Sequence, residues 1–132
     1  MENITVSGIV VTGAKRGREI GFPTANIELN KKQVAALPSI GIYAVWVQLK
    51  GHLYLGAASW GFNPTFGLEK PQLEVHILDF DAMIYNETLK IEFAAFIRGE
   101  IKFTNLEDLK KSIADDCVKC RAILNSKKPK VL

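Results

Sequence analysis

The sequence has 132 residues, a formal net charge of +3, 48% hydrophobic residues and 23% charged residues, which fits one globular domain with its own core. So small a net charge does not indicate a nucleic-acid partner, and no apolar run approaches the ~18 residues of a membrane-spanning helix. No basic-then-apolar leader opens the chain. We therefore expect a cytoplasmic monomer with one domain (residues 1–125) and a frayed basic tail (residues 126–132), without membrane or nucleic-acid partners.

Strand patterns dominate the first hundred residues. Runs rich in β-branched and aromatic residues, or alternating between apolar and polar, predict strands at residues 5–12, 41–50, 53–60, 72–80 and 88–98. Residues 27–38 are predicted to form a connection with a short helical turn near residues 33–37. Five or six strands with glycine-containing connections indicate an all-β-dominated fold, a closed antiparallel barrel, because closure removes exposed edges.

A single long helix is predicted to follow the strands and to dock on the barrel. Thr104 and Glu107 have the spacing of a capping box at its start. An apolar stripe at steps of three or four follows, formed by Leu106, Leu109, Ile113, Cys117, Cys120 and Leu124. The two cysteines lie within this stripe and are interpreted as helix-face thiols rather than as a redox or metal pair.

Residues 13–26 form a glycine-rich, basic segment that is poor material for a core strand. Glycines at every fourth position alternate with basic side chains, namely Gly13, Gly17 and Gly21 with Lys15, Arg16 and Arg18. Backbone N–H groups beside cations commonly hold polyphosphate. A solvated surface loop of the same composition is the alternative interpretation.

Thr24 and Asn26 stand two apart, so an extended backbone would present both side chains on one face. A hydroxyl and an amide carbonyl are oxygen ligands that Mg²⁺ accepts, although two neutral ligands would depend on phosphate oxygens to complete the shell. The alternative is a local turn in which these side chains bond their own backbone.

Three further residues are candidates for chemistry. Glu74 interrupts an apolar run in mid-strand, where a carboxylate could act as general base toward a hydroxyl. Arg98 and Phe103 could cap a planar aromatic ligand with a guanidinium and a ring. A half-exposed strand glutamate, a salt-bridged arginine and a core phenylalanine remain the structural alternatives.

Five segments occur in an order and with gaps typical of one known family: residues 17–26, 41–43, 63–67, 74–80 and 96–103. Through them, from Val6 to Cys117, the chain resembles the riboflavin kinase (flavokinase) family, and the Gly-Phe-Pro-Thr-Ala-Asn core at residues 21–26 is highly specific to it. In that family the module occurs alone or as the C-terminal half of bifunctional FAD synthetases.

The resemblance implies ATP-dependent phosphorylation of the ribityl 5′-hydroxyl of riboflavin, giving FMN and ADP, on a six-stranded Greek-key-like barrel with a C-terminal helix. It implies Glu74 as the catalytic carboxylate, and Thr24 and Asn26 as ligands of Mg²⁺, with Zn²⁺ or Mn²⁺ as alternatives. Implied ATP contacts are Gly13, Arg18, Thr24, Ile77, Asp79 and Tyr85, and implied flavin contacts are Arg98, Ile101 and Phe103. The rival hypothesis is a non-catalytic flavin-binding or regulatory barrel.

Overall fold

The computed structural model describes residues 3–11, 21–65 and 67–132. Its elements in chain order are β1 (Thr5–Val11), β2 (Ala25–Ile27), α1 (Lys31–Ala36), β3 (Gly41–Leu49), β4 (His52–Gly61), β5 (Gln72–Ile77), β6 (Thr88–Arg98) and α2 (Leu106–Asn125). The six strands close into an antiparallel barrel in the order β1-β2-β5-β4-β3-β6. Because β6 returns to lie beside β3 after the β3-β4-β5 meander, the barrel contains a Greek key. The predicted fold class is confirmed.

Hydrophobic alternation and turn chemistry explain most of the barrel. Side chains from all six strands fill its interior, among them Tyr43, Val45, Val75 and Ile91. The β3–β4 hairpin closes through Lys50 and Gly51, which both have positive φ, 50° and 81°. A two-residue loop with positive φ at both positions matches the right-handed twist of the paired strands.

Three predicted strand features need correction. Residues 25–27 form the short strand β2 between β1 and β5, whereas the sequence predicts the end of the glycine-rich segment and the start of a connection there. Strand β5 ends at Ile77 rather than at residue 80, and Asp79 shortly beyond has a left-handed φ of 56°. Strand β6 does not alternate regularly, because register shifts near Ala94 and Ile97 turn Ala95 out of the barrel.

Helix α2 packs on the outer surface of β3 and β4. Cys120 and Leu124 are fully buried there against Ala44 and Trp46. The helix is capped by Asn105, whose side chain accepts a hydrogen bond from Asp108 N at 2.9 Å, so the predicted Thr104 capping box is wrong by one residue. Asparagine is a strong N-cap because its side-chain oxygen satisfies an otherwise unpaired helix N–H group.

The apolar stripe of α2 agrees with the packing except at Leu106, which is half exposed at the first residue of the helix. None of the helices formed by the described residues is long and apolar enough to span a membrane. The sequence predicts a frayed tail, but the last residues are held in place. The backbone amides of Lys130, Val131 and Leu132 donate hydrogen bonds to Glu92.

Candidate functional site

The strand register places a row of mostly polar and charged side chains across the outside of the barrel. Asn26 on β2 lies opposite Glu74 on β5, and Glu74 lies opposite Ser59 on β4. The row continues through Ile42 on β3 to Arg98 on β6. Directly paired residues share one face of a sheet, and the neighbouring positions point into the core. The fold therefore brings residues from five strands to one outer surface.

Thr24 joins this row from the loop that precedes β2. Its hydroxyl donates a hydrogen bond to Oε1 of Glu74 at 3.3 Å, although the two residues are 50 positions apart in the chain. Asn26 and Glu74 are direct partners in the β2–β5 ladder. The structure thus brings together all three residues predicted to act on the transferred phosphate.

Arg98 is held rigidly at the opposite end of the row. Its Nε and Nη2 atoms donate hydrogen bonds to both carboxylate oxygens of Asp116 on α2, at 2.8–3.1 Å. The guanidinium lies over the ring of Phe103, with 5.8 Å between its carbon and the ring centroid. Asp116 is only 4% exposed, so the pair is largely shielded from water. A fixed planar cation beside an aromatic ring suits a flat aromatic ligand.

A cleft of about 130 Å³ lies over this outer surface. Its floor includes Thr24, Glu74, Ser59 and Arg98, and its far wall comes from Leu109, Ile113 and Asp116 of α2. The predicted flavin residues Ile101 and Phe103 also line it. We call this site the large cleft.

Two loops at the rim of the large cleft are bonded to each other. Thr65 Oγ1 accepts a hydrogen bond from Phe103 N at 3.1 Å, and Glu100 accepts one from Asn63 N at 3.0 Å. The segment that carries Ile101 and Phe103 is therefore fixed to the loop after β4.

A small cleft of about 50 Å³ lies on the other side of the Thr24 loop. Ile77 and Tyr85, both predicted to contact adenosine, line it together with Phe80 and Pro23. Thr24 lines both clefts. Ligands in the two clefts would therefore approach each other at Thr24, beside Glu74.

Three predicted nucleotide contacts do not line either cleft or lie outside the described residues. Asp79 is exposed and forms an ion pair with Arg121 of α2, 2.6 Å between Oδ2 and Nη1. The Arg121 guanidinium lowers the pKa of Asp79 below its ordinary value, mainly through this hydrogen bond. Gly13 and Arg18 belong to the residues that are not described.

Sequence patterns missed two residues of the large cleft. Asp116 belongs to a predicted helix but gives no sign of pairing with Arg98, since charged residues are common on helices. His76, interpreted from the sequence as structural or solvated, lines the cleft, and its ring forms a hydrogen bond with the backbone oxygen of Pro23, directly before Thr24. Its position two residues after Glu74 was the available signal.

The residues around Asn26 fit a divalent cation. Asn26 Oδ1 is buried and has no hydrogen-bond partner among the described residues, which is unusual for a carbonyl oxygen. Thr24 directs its single hydrogen toward Glu74, so the hydroxyl lone pairs stay available as ligands. Within residues 3–11, 21–65 and 67–132, no three His, Cys, Asp or Glu side chains are placed to hold a metal ion together. A cation here would need oxygen ligands from its substrate.

These features define a class of protein: a small barrel with two clefts that meet at Thr24, a fixed guanidinium and an aromatic ring in one of them, and a carboxylate at the junction. Comparison with known proteins identifies the family. The model of the riboflavin kinase (flavokinase) family matches residues 1–124, and the chain belongs to that family.

Curated relatives are longer than this chain. It is 41% identical over 114 residues to the bifunctional riboflavin kinase/FMN adenylyltransferase of Bacillus subtilis, which covers 84% of this chain and 35% of that protein. The enzyme of the same name from Haemophilus influenzae is 43% identical over 122 residues, covering 92% and 39%. The chain therefore spans little more than a third of the length of these relatives.

Solved structures have the same fold. Riboflavin kinase from Trypanosoma brucei superposes with a TM-score of 0.69 at 28% identity, covering 95% of this chain and 82% of that one. A Streptococcus pneumoniae structure described as a macrolide-efflux protein gives a TM-score of 0.78 at 36% identity, covering 90% and 38%.

Proposed function

We propose that the protein is a riboflavin kinase, which transfers the γ-phosphate of ATP to the ribityl 5′-hydroxyl of riboflavin and releases FMN and ADP. Family membership supports the reaction class. The single observation that carries the proposal for this chain is the contact of Thr24 with Glu74 at the junction of the two clefts.

Glu74 is the proposed general base. It takes the proton of the riboflavin hydroxyl as that oxygen forms its bond to the γ-phosphorus and the bond to the β,γ-bridging oxygen breaks. The hydrogen bond from Thr24 orients Oε1 of the carboxylate. Catalysis then depends mostly on positioning the two substrates, as in other phosphoryl transfers.

Thr24 and Asn26 are the proposed ligands of Mg²⁺, with Zn²⁺ or Mn²⁺ as alternatives. The orphaned Oδ1 of Asn26 and the free lone pairs of Thr24 support this assignment. Such a cation supplies charge neutralisation for the phosphates of the bound nucleotide.

The large cleft is proposed to bind riboflavin and the small cleft ATP. Arg98 and Phe103 would contact the flat flavin ring system, with Ile101 beside them. Ile77 and Tyr85 would contact the adenosine. Asp79, Gly13 and Arg18 stay proposed ATP contacts on the strength of the family resemblance alone.

Incubation with riboflavin, ATP and Mg²⁺, followed by chromatography of the flavins, tests the proposal. We expect FMN as the product. Glu74→Gln should retain riboflavin binding and thermal stability but lower turnover by about 10²-fold or more, the scale of general-base catalysis. Glu69→Gln is the matched control, because Glu69 is exposed and lines neither cleft.

The outcomes separate the hypotheses. Full activity of Glu74→Gln would refute the assigned base. Riboflavin binding without FMN formation would favour the non-catalytic barrel, and FAD as a product would reveal a second activity. A cytoplasmic location, a monomeric state and the division into residues 1–125 and 126–132 also stay proposals; gel filtration tests the second of these.

A further inference from the structure

His76 occupies an unusual position next to the proposed catalytic residues. It lies two residues after Glu74 on the same outward face of β5 and lines the large cleft. The hydrogen-bonded ladder between β2 and β5 ends at the Ala25–Val75 pair. His76 is therefore the first residue of β5 beyond the point where backbone hydrogen bonds join β5 to β2 and the segment before it.

The side chain of His76 replaces the missing ladder contact. Nδ1 of His76 is 2.8 Å from the backbone oxygen of Pro23. A carbonyl oxygen only accepts hydrogen bonds, so Nδ1 must carry the proton. The ring of Phe22 packs edge-on against the imidazole, with 5.6 Å between the ring centroids. Both contacts connect β5 to the segment directly before Thr24.

The bond acts on the peptide group that leads into Thr24. The Pro23 oxygen lies in the same rigid plane as the Thr24 nitrogen, so fixing one fixes the other. Proline already restricts the backbone at residue 23. The direction of the Thr24 hydroxyl, which reaches Glu74 at 3.3 Å, then depends on this plane.

We propose that His76 is a positioning residue that holds the Thr24 loop against β5 through its protonated Nδ1 and so sets the distance between Thr24 and Glu74. This inference rests on the proposed function, since Thr24 and Glu74 act on the phosphate there. His76 itself takes no proton from the substrate in this proposal.

Two substitutions of His76 test which ring nitrogen matters. Asparagine places an N–H group near the position of Nδ1, whereas glutamine places one near the position of Nε2. We expect His76→Gln to lower kcat about 10-fold or more and to raise the Mg²⁺ concentration for half-maximal activity, because small misplacements of catalytic groups reduce rates by up to about 10²-fold. His76→Asn should retain most of the activity, and riboflavin affinity should stay similar in both variants.

The exposed His52 supplies the matched control, and His52→Gln should leave activity and Mg²⁺ dependence unchanged. Equal activity of His76→Gln and the wild type would overturn the proposal. So would equal losses in the glutamine and asparagine variants with an unchanged Mg²⁺ requirement, since that pattern indicates a merely structural role.

Nitrogen NMR of the imidazole provides a test that does not depend on activity. With two histidines in the chain, spectra of the His52→Gln protein assign His76 directly. When the ring is neutral, we expect the proton on Nδ1, and a proton on Nε2 alone would overturn the inference. Failure of the wild type to form FMN would instead refute the proposed function, and the tautomer would still decide whether the bond exists.

Discussion

Among single residues, Asn26 imposes a cost on the fold that packing alone does not explain. Its side chain is 9% exposed, and Oδ1 is buried without a hydrogen-bond partner among the described residues. A buried acceptor left unsatisfied costs about 1–3 kcal/mol of stability. Polar groups of this kind concentrate where a ligand completes their bonding, so the cost supports a role in binding a cation.

Replacing Asn26 with valine should therefore make the fold more stable and the enzyme less active. Valine suits a strand and removes the unsatisfied oxygen, so we expect the free energy of unfolding to rise by about 1 kcal/mol. Activity should fall, and the Mg²⁺ concentration for half-maximal activity should rise. Thermal unfolding and a Mg²⁺ titration measure the two effects. A variant that loses both stability and activity would show that Asn26 has a structural role instead.

Single residues of the site differ in how far the sequence could predict them. Thr24, Asn26 and Glu74 were identified because their types are unusual in their settings and match a specific motif. Their convergence could not be predicted by spacing, since the Thr24–Glu74 contact requires β2 to pair with β5. Asp116 escaped prediction because an acidic residue on a helix is ordinary until its partner is known.

Among the elements, β6 shows why a sequence pattern can predict that a strand exists without predicting the face on which each of its side chains lies. Register shifts insert Ala94 and Ile97 as extra residues opposite β3. The first shift brings Ala95 opposite Ala44 under α2 and Phe96 opposite Tyr43, with 5.4 Å between the two ring centroids. The second restores Arg98 to the outer face. A bulge adds one residue to one strand, which reverses the alternation beyond it.

The seam between α2 and the barrel depends on small side chains. Ala44, Ala57 and Ala95 lie under the helix and let it approach closely. Cys120 is fully buried in this seam, and its thiol donates a weak hydrogen bond to the Tyr43 oxygen at 3.9 Å. Burial, with smaller contributions from Cys117 and Asp116, raises the pKa of Cys120 to about 12.

Thiol labelling should distinguish the two cysteines of α2 and report on helix docking. The thiolate is the reactive form, and the pKa of Cys120 is raised from the ordinary 9.0 to about 12. Below pH 9, Cys120 should therefore be labelled about 10³-fold more slowly than a thiol of ordinary pKa. Cys117→Ser isolates Cys120, and Cys120→Ser isolates the half-buried Cys117 as the faster-reacting comparison. Mass spectrometry with maleimide measures both. Rapid native labelling of Cys120 would mean that α2 leaves the barrel readily.

At the scale of the whole molecule, Glu92 in the middle of β6 forms hydrogen bonds with both ends of the described chain. It is fully buried, and its carboxylate accepts hydrogen bonds from Asn3 Nδ2 and from the backbone amides of Lys130, Val131 and Leu132, at 2.7–2.9 Å. Composition could not predict this anchor, since a lysine-rich end resembles a solvated tail. Closure of the barrel, by contrast, followed from the number of strands and the short connections.

The protonation state of Glu92 should control this anchor. Burial acts to raise the pKa of Glu92, but the hydrogen bonds from Lys130, Asn3, Leu132 and Val131 together outweigh it and lower the pKa below the ordinary value of 4.5. A carboxylate with a lowered folded-state pKa stabilises the fold above the pKa of the unfolded chain. This contribution is lost as the pH falls through the folded-state pKa.

Glu92→Gln tests the anchor, because an amide presents only one acceptor oxygen and turns its own N–H groups toward the donors. We expect it to lower the free energy of unfolding at pH 7 by about 1–3 kcal/mol, the range for a buried hydrogen-bonding group left without its partner. The difference from the wild type should shrink as the pH falls below about 4.5, the ordinary value for a glutamate, because the unfolded wild-type chain then takes up a proton before the folded carboxylate does. Glu87→Gln removes a surface ion pair with Lys50 and should change stability by less than about 1 kcal/mol. Urea unfolding across this pH range measures both variants, and a Glu92→Gln deficit that stays constant down to pH 3 would contradict the role of the ionised carboxylate.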